Sequence, residues 1–88
     1  MNLKLKSIKL GAADLKRSTR KNKKWMVKYG DHWIHFGDSR YQDYTQHRDK
    51  ERQKAYLKRA RGIKNKQGRL TYTNKNKANF WAINILWT

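Results

Sequence analysis

The chain has 88 residues, so it holds at most one domain and buries only a limited share of its surface. Its 23 Lys and Arg against 6 acidic residues give a formal net charge of +17, and it has no cysteine. That composition excludes disulfide stapling and thiolate chemistry, and self-repulsion at such a charge opposes compactness unless a negatively charged partner relieves it. Four Trp, five Tyr and two Phe nevertheless argue for a folded core, because a wholly disordered chain of this charge carries few aromatics. No stretch approaches the roughly 18 uninterrupted apolar residues of a membrane span. Met1-Asn2-Leu3-Lys4-Leu5-Lys6 interleaves charge with apolar residues, unlike a signal peptide, so the protein is expected to start in the compartment where it is made.

Residues 1–24 carry nine basic groups and one acid, and the apolar Leu3, Leu5, Ile8 and Leu10. Leu3-Lys4-Leu5-Lys6 alternates like a short strand. Gly11 breaks the pattern, and a run from Lys16 to Lys24 holds Lys16, Arg17, Arg20, Lys21, Lys23 and Lys24 without one apolar residue. Residues 1–23 therefore read as an extended N-terminal arm, either a solvated tail or an arm whose apolar tip and basic stem dock on a partner.

Residues 25–36 read as a hairpin. Trp25, Val27 and Tyr29 alternate on one side of Gly30-Asp31, and His32, Ile34 and Phe36 alternate on the other. A two-residue turn pairs Tyr29 with His32, Val27 with Ile34 and Trp25 with Phe36, all on one face, with Trp33 on the other. After the turn at Gly37-Asp38-Ser39, a basic helix is expected over about 45–61. Thr45 can cap it, or an earlier Asp38 or Ser39 can start a preceding turn, and Tyr56, Leu57, Ala60 and Ile63 form its apolar stripe. Gly62 is expected to close it. Residues 70–73 are expected to supply the third strand that a lone hairpin needs.

The final segment, 77–87, fits two patterns. As a helix capped by Asn76 it places Ala78, Trp81, Ala82 and Ile85 on one face. As a strand it alternates Trp81, Ile83, Ile85 and Trp87. The helix is preferred, giving an α+β domain over residues 24–88: a small antiparallel sheet, a basic helix and a short C-terminal helix. An uncharged C-terminus in so basic a chain must be buried.

Catalytic and metal chemistry find no footing. His32 and His35 are three apart on a strand and so point to opposite faces, the wrong arrangement for one ion. Asp49 and Glu51 are two apart on a helix and do not share a face. There is no nucleophile elbow and no Gly-rich phosphate loop. The expectation is a non-enzymatic protein with no cofactor, no metal and no small-molecule substrate. Polyanion binding is the stronger chemistry. Arg48, Arg52, Lys54, Lys58, Arg59, Arg61, Lys64, Lys66 and Arg69 crowd the helix and the loop after it, and Tyr41, Tyr44 and Tyr72 are interleaved and suited to stacking on bases. No zinc finger, RRM or helix-turn-helix signature accompanies them.

From Lys24 onward the sequence resembles a family of small, basic, functionally uncharacterised proteins encoded by large double-stranded DNA viruses of eukaryotes and by some phages. The residues carrying the resemblance are Lys24-Trp25-Met26-Val27, Ile34-His35-Phe36-Gly37-Asp38, Arg40-Tyr41 and Tyr44. They continue through His47-Arg48-Asp49, Arg52, Tyr56, Arg59-Ala60-Arg61-Gly62-Ile63, Lys66-Gln67-Gly68 and Leu70-Thr71-Tyr72. Ala78-Asn79-Phe80-Trp81 and Leu86-Trp87 complete it. The resemblance implies a virion protein made in the host cytoplasm without a signal peptide. Two roles follow as expectations. The first, and the preferred one, is a minor capsid or cement protein of a large icosahedral DNA virus that bridges neighbouring capsid proteins through its basic surface, with Leu3, Leu5, Ile8 and Leu10 anchoring the arm. The second is a virion protein that binds or condenses DNA non-specifically.

Overall fold

A computed structural model describes residues 2–88. The chain opens with a helix, α1 (Leu3–Lys9), where strand-like alternation suggests an extended arm. Two local facts decide it. The Asn2 side chain accepts a hydrogen bond from the Leu5 N–H at 2.8 Å and so caps the first turn. A helix also brings Leu3, Ser7 and Leu10 to one side, at i, i+4 and i+7. Leu3 and Leu10 pack against the core and Ser7 is fully buried, while Leu5 and Ile8 face outward.

The sheet has three antiparallel strands in the order β1 (Asp14–Arg17), β2 (Lys23–Tyr29), β3 (His32–Asp38). The hairpin register is the expected one, with Trp25 opposite Phe36, Val27 opposite Ile34 and Tyr29 opposite His32. Gly30 supplies the turn with φ +62°, a conformation only glycine adopts without strain. The third strand is not 70–73. It is β1, inside the segment expected to be an arm, and Leu15 pairs with Val27 while Arg17 pairs with Trp25. Residues 64–71 close a small loop instead. Lys64 and Leu70 form a single bridge, and Thr71 donates its N–H to the Ile63 carbonyl at 3.0 Å.

Residues 78–88 carry no charged side chain, and they fill the core. A short helix, α4 (Ala78–Trp81), runs directly into a π-helical turn, Ala82–Leu86. The helical alternative thus holds for the start of this segment. Its cap differs, because Lys77 stands at that position without a side-chain bond and Asn76 instead lies 3.3 Å from His32 Nε2. Trp81, Ala82, Ile85 and Leu86 pack on Val27, Ile34 and Phe36. Each large aliphatic buried this way stabilises by about 1.5–3 kcal/mol. Gly37 admits the closest approach: a Cβ there would stand 2.8 Å from Leu86 Cδ1, and its φ is +80°.

The expected single helix is two. Asp43, not Thr45, caps α2 (Tyr44–His47) in a capping box with Gln46. Arg48 then adopts a left-handed conformation, φ 56° and ψ 24°, and Asp49 caps α3 (Lys50–Ala60) by accepting from the Glu51 and Arg52 N–H groups. Polar links tie this half to the core. Lys24 Nζ meets Asp43 Oδ2 at 2.6 Å, Gln53 donates to the Trp87 carbonyl at 2.9 Å, and Asn79 donates to the Ala60 carbonyl at 2.7 Å. No helix among the described residues is long and apolar enough to cross a membrane.

Candidate functional site

The residues expected to form a docking arm end in different places. Leu3 and Leu10 are partly buried against the core, leaving Leu5 and Ile8 as an exposed pair one turn apart. Lys16 lies on the outer face of the sheet, its ammonium 5.3 Å from the centre of the Trp33 ring, and Arg17 lies at the same distance from Trp25. Arg20, Lys21 and Lys23 are exposed around the β1–β2 connection. Lys24 is structural: its side chain is largely buried, paired with Asp43 and also bonded to Gln46 Oε1 at 2.7 Å.

The nine expected surface cations are all exposed: Arg48, Arg52, Lys54, Lys58, Arg59, Arg61, Lys64, Lys66 and Arg69. Among the described residues only Arg52 of these stands within 4 Å of a carboxylate, Asp49 at 3.9 Å. The geometry of α3 sorts them. Gln53, Tyr56, Leu57 and Ala60 turn inward. At 100° per residue that leaves Arg52 and Arg59 along one flank and Lys50, Lys54 and Lys58 along the other.

The arginine flank borders an open groove of about 470 Å³ lined by Arg40, Tyr41, His47, Arg52, Tyr56, Arg59 and Trp87. An adjoining hollow of about 450 Å³ shares Tyr41, Tyr56, Arg59 and Trp87 and reaches Lys23. The floor is aromatic. Tyr56 and Trp87 are stacked, with ring centres 4.0 Å apart and planes 7° apart, and the His47 ring sits 5.4 Å from Trp87, tilted 60° to it. Burial pushes the Tyr56 phenol above its ordinary pKa. On the rim, Arg40 grips Asp38 through two bonds, Nε to Oδ1 at 3.0 Å and Nη2 to Oδ2 at 2.9 Å. Those bonds hold the Asp38 carboxyl at a pKa of about 2. The grip fixes the loop that presents Tyr41, a residue 69% exposed.

His47 carries no site signal in the sequence. The Asp49 N–H donates to its Nδ1 at 2.9 Å, so in the neutral ring the proton sits on Nε2. That Nε2 is buried and has no hydrogen-bond partner among the described residues. Tyr56 and Trp87 look in the sequence like core or periodic positions. Only the fold brings them beside Arg52 and Arg59. His32 and His35 lie on opposite faces of β3, and no group of three or more His, Asp or Glu capable of holding a metal ion occurs among the described residues.

Residues 13–60 match a family described as a family of unknown function, DUF5754. The chain belongs to that family. The matched span of DUF5754 runs from the residue before β1 to the end of α3. It therefore holds every groove residue named above except Trp87, and it leaves out the loop cations from Arg61 to Arg69. No curated protein and no solved structure matches the chain.

Proposed function

We propose that this protein binds nucleic acid through its basic surface, largely without sequence preference, and does so as a virion component. The observation that carries this reading is the uncompensated charge of α3 and the loop after it. A folded domain gains nothing from crowding like charges on one element unless an opposite charge arrives from outside. Phosphates supply that charge, and each one neutralised adds salt-sensitive affinity. The virion setting is supported by the sequence resemblance to viral proteins.

Replacing Lys54, Lys58, Lys64 and Lys66 together by Gln is the test. All four are exposed, so the fold should persist with a stability change of about 0.5 kcal/mol or less per site. DNA affinity at fixed salt should fall steeply, and the slope of log affinity against log salt should flatten by about 0.9 for each duplex phosphate that is no longer neutralised. An unchanged affinity and slope sinks the proposal.

The capsid-connector reading keeps one supporting observation, the exposed pair Leu5 and Ile8. It loses the extended arm, because Leu3, Leu10 and β1 belong to the domain itself. The matching variant is Leu5→Ser with Ile8→Ser, which spares the core-facing side of α1. A connector should then fail to enter particles while binding DNA normally; a genome-binding protein should enter them as before.

A further inference from the structure

We propose that the groove between the Tyr41 loop and α3 receives an unstacked base of a single-stranded nucleic acid. Tyr41 is its stacking platform, and Arg52 and Arg59 hold phosphates of the same strand. The inference rests on the nucleic-acid reading above and names the form of polymer that this site takes.

Three features point there. Tyr41 is a large aromatic residue held out in solvent by a loop pinned at both ends, by the Arg40–Asp38 fork and by Asp43. A ring presented this way offers a face to a free base, and bases inside a duplex already have both faces covered. Arg52 and Arg59 are seven residues apart on α3, about 10 Å along its axis. That spacing is too wide to grip one phosphate between them and suits different phosphates of one strand. The groove is also open along its length, continuing past Tyr56 and Trp87 toward Lys23, as a tracking strand requires and an enclosed mononucleotide site does not.

The measurement is fluorescence anisotropy of a labelled oligothymidylate and of a labelled duplex with the same number of phosphates, both at one fixed salt. Tyr41→Ala should weaken oligothymidylate binding by about tenfold and leave duplex binding within about twofold, because a stacking contact acts only on free bases. Tyr41→Phe should restore binding, since the ring and not the hydroxyl is used. Trp33→Ala, on the sheet's outer face, should leave both polymers unaffected. An oligothymidylate affinity insensitive to Tyr41→Ala, an equal loss for the duplex, or a loss that follows Trp33 instead each overturns the groove while leaving charge-driven nucleic-acid binding intact. Failure of the parent protein to bind either polymer at low salt overturns both proposals. Displacement of the oligothymidylate by polyglutamate at lower charge concentration reassigns the groove to an acidic protein.

Discussion

In the sheet and the C-terminal segment, Val27, Phe36, Trp81 and Ile85 are wholly shielded from solvent, whereas between residues 44 and 70 only Tyr44 and Ala60 are buried hydrophobics. The first region is held by apolar contact among residues from both ends of the chain. The second is held by caps, a buried ion pair and a few side-chain bonds to backbone carbonyls. Its apolar surface is small because its sequence is spent on charge. The contrast shows how a chain of net charge +17 stays folded: the apolar face of the sheet and the uncharged C-terminal segment supply the core, and the cations of the sheet lie around it while those of α3 and the loop after it are exposed. Mutations should therefore separate into those that unfold the protein and those that disarm it.

The sharpest way to break that separation is Trp81→Ala. The indole is completely buried, contacts Tyr29 and Phe80, and donates its N–H to the Lys75 carbonyl at 2.7 Å. Truncation should cost about 3–5 kcal/mol, a large part of the stability of so small a domain. Urea denaturation gives the value. A loss under about 1 kcal/mol, the scale of an ordinary surface-to-core average, would mean that the core is not where the burial places it.

Asp43→Ala probes the tie between the regions. It removes the cap of α2 and leaves the largely buried Lys24 ammonium without its counter-charge, with Gln46 Oε1 as its remaining acceptor among the described residues. Losing one member of a buried pair costs about 3–5 kcal/mol, and the value should sit at the lower end because the Lys24 side chain retains 13% exposure. Amide hydrogen exchange should show α2 and α3 opening more than β2 and β3. Uniform loss of protection across both would show that the two regions unfold as one unit.

The smallest expected effect belongs to His35, on the outer face of the sheet. Burial, then the charges of Arg20 and Lys23, lower its pKa below 6.5, and Ser18 Oγ lies 2.7 Å from its Nδ1. The unfolded chain then takes up a proton at a pH where the folded chain does not. Stability should be fully present above about pH 6.5 and should decline as pH falls through the folded pKa. The melting temperature should drop slightly on acidification from neutral to mildly acidic pH, and His35→Gln should remove that part of the slope. A melting temperature that rises on acidification contradicts the assignment.

How much of this was legible in the sequence depended on whether the deciding contact was local. The hairpin register was readable because a two-residue turn and a period of two fix it together, within residues 25–36. The C-terminal helix was readable because an uncharged segment has to be buried and Trp81, Ala82 and Ile85 share a helical face. The third strand was not. Asp14–Arg17 offers only Leu15 to the inner face, so its pattern is silent, and pairing with β2 decides its conformation. Leu3-Lys4-Leu5-Lys6 misled in the other direction, because Asn2 and the spacing of Leu3, Ser7 and Leu10 outweigh a four-residue alternation. The break at Arg48 had a signal in Asp49, a good cap in the middle of an apparently continuous helix. The groove had none, since it joins Tyr41, Tyr56 and Trp87 from three separate stretches of chain.

The packing of α1 against the last turn of the chain has a consequence for how the molecule forms. Lys6 Nζ reaches the Ile85 carbonyl at 3.4 Å across 79 positions, and Leu3 and Leu10 join a cluster completed by Ile85 and Leu86. The hairpin can assemble early from near neighbours, but its apolar face stays uncovered until the C-terminal segment returns to it from about half a chain length away, and α1 completes the cluster only by closing a loop of nearly the whole chain. The entropy of that closure must be met before the core repays it, which slows the final step relative to the first. During that interval like charge repels other copies from the exposed apolar face, so the excess of lysine and arginine also opposes aggregation of the half-formed molecule.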